Sequence, residues 1–222
     1  MTEPRRVDAR RAAGTRTEPP GLVWYASYGS NTHMTRLNSY LAGGFPPGGG
    51  RDYPGCRDAR PPLRSLPLEL PGRMYFATRS PVWSGGRAFY DDGVPDGVVL
   101  ARAHLVTAGQ FADIAAQEMY RAPGRDLDLA PVLEAGRAHL GDGRYETLLY
   151  PGEVDGHPVL TFTAPWSRRD VAPVRPSGPY LRHIAEGLFE SGAWDLPGIT
   201  VYLAACTGGA WAAGEIEALL RR

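Results

Sequence analysis

Apolar and polar positions divide the chain into short strand-like runs and amphipathic helices from about residue 22 onward. The run Leu22-Val23-Trp24-Tyr25-Ala26 is aromatic and β-branched, the composition of a buried strand, and it stops at Gly29 and Asn31. Beyond that turn Met34, Leu37 and Leu41 recur at helical spacing until Gly43-Gly44. Strands are predicted again at 73–78, 87–90 and 98–106, the last close to a continuous apolar run. Thr107 and Gln110 have the spacing of a capping box, and Phe111, Ile114, Ala115 and Met119 form the apolar stripe of the helix that follows. Leu129, Val132, Leu133, Gly136 and Leu140 predict another helix, with strands after it at 145–150 and 159–163. Ser177 and Pro179 are a cap and first-turn pair for a helix carrying Tyr180, Ile184 and Leu188 and ending near Gly192. Ile199, Tyr202, Leu203 and Cys206 repeat at helical intervals, and a last helix is expected over 212–220.

Two stretches lack such a period. Residues 43–72 are crowded with Gly, Pro and Arg and read as one long surface loop. Residues 1–20 carry five Arg, no aromatic side chain and few large apolar ones, the composition of a disordered arm. The expected organisation is therefore an Arg-rich arm at 1–20 and a single domain over 21–222.

Composition narrows the functions. The 222 residues are 43% apolar, enough for a packed core, while 28 Gly and 21 Pro argue against a long helical bundle. Twenty-four basic residues balance twenty-four acidic ones, so no overall field draws the chain to nucleic acid or to an anionic membrane. A small neutral or zwitterionic ligand fits better. Every basic residue is Arg, which removes Schiff-base lysine chemistry and the P-loop, and the bias suggests a GC-rich, actinobacterial coding sequence. Cys56 and Cys206 form no C-x-x-C, and neither a signal-peptide core nor an 18-residue apolar run is present, so a cytoplasmic protein without membrane partners is expected.

Glu118 is the most informative single position. It follows Phe111 by seven residues, Ile114 by four and Ala115 by three, which turns its carboxylate onto the apolar face of a helix. Desolvation there raises a carboxyl pKa toward the range of a general base. An ion pair with Arg121 or a frayed helix end accounts equally well for the spacing. Tyr28-Gly29-Ser30-Asn31 is the second candidate, because Gly and Asn at a strand-to-helix turn permit unusual torsions that leave backbone N–H groups for an oxyanion. His33, His104, His139, His157 and His183 have no zinc spacing, no G-x-S-x-G is present, and Cys56 reads as an inert thiol. No metal or cofactor is expected.

Four segments taken in order resemble the γ-glutamylcyclotransferase-like family. Tyr25-Ala26-Ser27-Tyr28-Gly29-Ser30-Asn31 is similar to its aromatic strand and Y-G-S-N loop, and Trp83-Ser84-Gly85-Gly86-Arg87-Ala88 to its W-x-G-G-x-A segment. The strand at 98–106 and the helix ending Ala116-Gln117-Glu118 resemble the strand and helix that carry its catalytic Glu. Pro176-Ser177-Gly178-Pro179-Tyr180-Leu181, with Ile184 and Gly187, is similar to its P-S-x-x-Y-x-x-x-I-x-x-G helix. The resemblance runs over about 22–189, departing in the enlarged stretches at 43–72 and between Glu118 and Tyr145, and in Ala101 or Ala103 where a glycine is frequent.

The resemblance implies an α+β fold, a mixed β-barrel with surrounding helices. It implies a cofactor-free γ-glutamyl cyclotransferase that releases 5-oxoproline and an amine from a small γ-glutamyl amine or peptide. Glu118 would be its catalytic acid–base, and Tyr25, Ala26, Ser27, Tyr28, Gly29, Ser30 and Asn31 would bind the substrate. An amide hydrolase of deacylase type using the same Glu, and a non-catalytic small-molecule-binding barrel, stand as alternatives. The leaving amine and the oligomeric state are not legible.

Overall fold

The computed structural model describes residues 2–8, 10, 18–46 and 51–221. Its centre is strand β2 (Leu22–Ser27), whose side chains alternate between two separate cores. Trp24, Ala26 and, just beyond the strand, Tyr28 enter one core, while Val23 and Tyr25 enter the other. Burial on both faces is what makes this strand a nearly unbroken apolar run.

Around β2 stands a seven-stranded mixed sheet in the order β1-β3-β6-β2-β9-β8-β7. The remaining members are β1 (Arg5–Arg6), β3 (Arg64–Pro71), β6 (Val98–Thr107), β7 (Arg137–His139), β8 (Thr147–Val154) and β9 (His157–Thr163). β2 runs antiparallel to β6 and parallel to β9. A separate hairpin pairs β4 (Arg73–Arg79) with β5 (Gly86–Asp91). Helices α1 (Met34–Ala42), α2 (Ala108–Glu118) and α3 (Ala130–Ala135) contribute Leu37, Phe111, Ile114 and Val132 to the core of Val23 and Tyr25. Helices α4 (Gly178–Glu190), α5 (Leu196–Cys206) and α6 (Ala213–Leu220) contribute Ile184, Leu203 and Ile216 to the core of Trp24. The α+β class holds, with the sheet between two groups of helices.

Among the described residues the strand pairing gives a mixed sheet and does not trace a closed barrel. β3 and β7 lie towards opposite ends of the strand order without pairing, and β7 is only three residues long. The gap is spanned at one point by the N-terminal segment. β1 runs parallel to β3, and Asp8 then exchanges backbone hydrogen bonds with Glu153 of β8, at 2.8 and 3.2 Å. Arg5 pairs with Asp155 at 2.8 Å and Arg6 with Glu69 at 3.0 Å. The reading of 1–20 as wholly disordered is therefore corrected for 5–8, which find an open sheet edge; residues 1, 9 and 11–17 lie outside the described residues.

The loop expected at 43–72 is corrected as well. Its last third is β3, which pairs with β6 from Arg64 to Pro71. Leu66, Leu68 and Leu70 alternate inward, and the prolines are tolerated because β1 covers the other side only at Leu68 and Glu69. The helix expected to reach Leu140 instead ends at Ala135, since Gly136 takes the left-handed conformation of a helix stop (φ 81°) and releases the chain into β7. The capping box of Thr107 and Gln110 forms, as do the Ser177 cap and the helix of Ile199 to Cys206.

Helix α4 crosses the 29–33 turn very closely. A Cβ on Gly187 would stand 2.4 Å from the backbone N of His33 and 2.5 Å from Thr32 Oγ1. Gly187→Ala is expected to lower stability by about 1–3 kcal/mol through overpacking. Gly29→Ala, whose Cβ would meet the Tyr180 hydroxyl at 3.4 Å, is expected to cost less. Urea denaturation of the two variants checks the contrast, and equal midpoints would refute it.

Candidate active site

The C-terminal end of β2 opens into a cleft, and the elements around it each supply a wall. The strand and the turn after it contribute Tyr25, Ala26, Ser27, Tyr28, Gly29, Ser30 and Asn31; the last residue of α2 contributes Glu118. The β4–β5 hairpin brings Ser80, Trp83, Arg87 and Ala88, and α4 brings Tyr180. All eight residues singled out from the sequence therefore line one cavity.

Glu118 is half-buried and meets the turn directly. Asn31 Nδ2 donates to Glu118 Oε1 at 3.1 Å and to the Tyr25 hydroxyl at 3.2 Å. The Glu118 carboxyl is raised above its ordinary pKa by burial, with the Tyr40 hydroxyl, Arg36, Arg51 and Asn31 pulling it back in that order. Arg121, the alternative partner, pairs with Glu146 instead. No ion pair to Glu118 is found among the described residues. The Tyr25 and Tyr180 phenols are pushed up by burial, with the Glu118 charge adding to the shift in both, so both remain neutral hydroxyls.

The 28–31 turn differs in one respect from expectation. Gly29 has φ −110° and ordinary space for a Cβ, so no left-handed torsion is required there. Ser30 to Thr32 form a single 3-10 turn, closed by Thr32 N–H to Gly29 O at 3.2 Å and His33 N–H to Ser30 O at 3.2 Å. Among the described residues, the backbone N–H groups of Gly29, Ser30 and Asn31 donate to no protein acceptor. Arg102 braces the turn from behind, donating to Thr32 O at 3.1 Å and pairing with Glu190 at 3.0 Å. The Tyr28 hydroxyl is spent on Phe162 O at 2.8 Å, so this side chain supports the wall instead of offering a donor to a ligand.

No family model matches the chain. It is 29% identical over 194 residues to Histone deacetylase 5 of Arabidopsis thaliana, a match that covers 77% of this chain. The chain spans 28% of the length of that relative. Two solved structures are similar to parts of the chain. One is the uncharacterized protein loc79017 from Homo sapiens, at TM-score 0.46 and 15% identity, covering 78% of this chain and 82% of that one. The other is a gamma-glutamyl cyclotransferase, at TM-score 0.43 and 14% identity, covering 77% and 80%.

Several cleft residues were not singled out from the sequence, chiefly Arg36, Tyr40, Arg51, Tyr53, Tyr120 and Tyr145. Arg36 and Tyr40 share a face of α1 at i, i+4 spacing, a pattern equally at home on a solvated helix. Tyr53 and Arg51 come from the irregular stretch before β3, where no periodicity points anywhere. Cys56 is held by a hydrogen bond from its thiol to Tyr40 O at 3.2 Å, and burial pushes its pKa up to about 12, in keeping with an inert thiol.

His33, His183 and Glu186 lie together with their ligand atoms within 4.8 Å. The two imidazoles, however, stack face to face at 4.5 Å and 13°, so their in-plane lone pairs run side by side and do not converge on one ion. His33 Nδ1 is occupied by Thr35, and burial holds His183 down to about 4. No helix among the described residues is long and apolar enough to cross a membrane.

The raised carboxyl has a consequence for stability. Folded Glu118 keeps its proton to higher pH than the unfolded chain does, so its contribution to stability falls as pH rises from the ordinary carboxylate range through the raised value, and stays lost above it. Glu118→Gln removes that loss. The urea midpoint of the variant relative to the parent is expected to climb with pH from the ordinary carboxylate range through the raised value. A difference that is flat or falls with pH would mean the acid is not destabilised by burial.

Proposed function

We propose that this chain is a γ-glutamyl cyclotransferase, acting on a small γ-glutamyl amine or peptide by intramolecular acyl transfer. The observation that carries the reading is Glu118: a shielded carboxyl of raised pKa, hydrogen-bonded by Asn31 and sharing a cleft with the backbone N–H groups of 29–31. The order of the four sequence segments described above supports it, because three of them meet in this cleft and the fourth ends on it.

The chemistry asks for a base, a folded-back substrate and a place for negative charge. The α-ammonium of the γ-glutamyl group gives a proton to the Glu118 carboxylate, and the freed amine attacks its own γ-carbonyl. Asn31 Oδ1, buried and without a partner among the described residues, is a second acceptor for that ammonium. Charge building on the carbonyl oxygen is met by the unspent N–H groups of the turn. Collapse breaks the bond to the leaving nitrogen. Two protons leave the attacking nitrogen and two arrive on the departing amine, carried by Glu118, and the products are 5-oxoproline and an ammonium. The nucleophile is part of the substrate, so neither water nor a cofactor enters the balance. Aromatic walls at Tyr25, Phe162 and Tyr180 restrict the glutamyl chain to a bent shape near attack geometry.

Mass spectrometry of the products from glutathione, γ-glutamyl dipeptides and γ-glutamyl amines tests the reading. Release of 5-oxoproline is expected. Glutamate in its place would assign the same acid to activating water. Glu118→Gln is expected to lower kcat by about 10²- to 10⁴-fold with the fold retained, and unchanged turnover would remove Glu118 from the mechanism.

A further inference from the structure

The cleft holds three guanidinium groups, Arg36, Arg51 and Arg87, against the single carboxyl of Glu118. None of the three has a carboxylate within ion-pair distance among the described residues. Two of them have visible structural partners. Arg51 donates to Gln117 O and lies over Tyr120 at 4.4 Å; Arg87 donates to Thr78 Oγ1 at 3.0 Å.

Arg36 is different. Its side chain is only 3% exposed, and it sits against the rings of Tyr53 and Trp83 at 5.0 and 5.4 Å. One nitrogen donates to the Tyr53 hydroxyl, while Nε and Nη1 are buried and have no hydrogen-bond partner among the described residues. A guanidinium removed from water without hydrogen-bond partners for its N–H groups is costly to keep, and an anion bound to those groups lowers the cost. Glu118 acts on Arg36 through its charge alone, with no ion pair or hydrogen bond between the two among the described residues.

We propose that Arg36 recognises a carboxylate of the ligand, pairing through the N–H groups that have no protein partner. Together with Glu118 and Asn31 Oδ1 on the acceptor side, it makes the cleft selective for a zwitterionic amino-acid head. The assignment deepens the cyclotransferase reading and rests on it for the identity of the ligand. Within a γ-glutamyl compound the carboxylate belongs either to the α-position or to the amine half, and the test separates the two.

Titration calorimetry in the Glu118→Gln background, where turnover is removed, uses three probes: γ-glutamyl methylamide, its α-carboxamide counterpart and γ-glutamylglycine. Loss of the α-carboxylate is expected to weaken binding about 10- to 100-fold when Arg36 is present, and less than about 2-fold in Arg36→Gln. Arg36→Lys, which keeps the charge, is expected to recover part of the difference. An Arg36-dependent gain seen only with γ-glutamylglycine also supports the proposal and places the carboxylate on the amine half. Equal affinities for all three probes with Arg36 in place would overturn it, and that comparison needs no substitution at Arg36. Glutarate supplies a control outside γ-glutamyl chemistry, and it is expected to raise the melting temperature of the protein carrying Arg36 but not of Arg36→Gln. Silence of the γ-glutamyl probes beside an Arg36-dependent response to glutarate would sink the cyclotransferase reading and leave Arg36 as the anion site. Release of 5-oxoproline with binding indifferent to Arg36 would do the opposite.

Discussion

A carboxyl shielded from water yet without an ion-pair partner among the described residues is the constraint around which the cleft is built. Glu118 terminates α2, and the nearest groups that stabilise its charged form are hydrogen-bond donors and guanidiniums at a distance, so burial wins and the proton is held more tightly. The donor that touches it, Asn31, also binds the Tyr25 hydroxyl. One amide thus ties the end of α2 to the turn after β2.

That arrangement depends on β2 being covered on both sides. Tyr25 packs toward α1 and α2 while Trp24 anchors the opposite core, its indole N–H donating to Val154 O at 2.9 Å. The strand is held from two directions, so the turn leaving it starts from a fixed point. Helix α4 closes on the turn through Gly187, and Arg102 of β6 fastens the Thr32 carbonyl to Glu190. The segment of Trp83 to Ala88 and the start of α4 support one another in the same way, since Gly86 N–H donates to Arg175 O at 2.9 Å, just before the Ser177 cap of α4.

The cleft has an uneven charge balance even though the whole chain is neutral. Buried aromatic rings carry most of the contact with Arg36, and a ring face attracts a guanidinium without supplying the hydrogen bonds that its N–H groups need. This is the arrangement of a site that stays incomplete until a ligand arrives. A core arginine would instead be fully hydrogen-bonded or paired.

Local chemistry was enough to read β2, α2 with its capping box, α4 with its Ser177 cap and the helical period of α5, because spacing within one element depends only on that element. It did not reveal β1, β3 or β7, whose strand character comes from the neighbours they pair with: Arg5 and Arg6 become a strand because β3 offers an edge, and Pro67 is accepted because that edge is mostly open. Nor did it reveal Arg36, Tyr53 or the Asn31 bridge to Glu118, which join residues up to 87 positions apart in the chain. Periodicity offered an inward-turned acid beside an Arg121 pair or a frayed helix end; only the packing of α1, α2 and α4 onto one end of β2 decided among them and what Glu118 meets there, since contacts between elements are set by how their faces fit and not by either sequence alone.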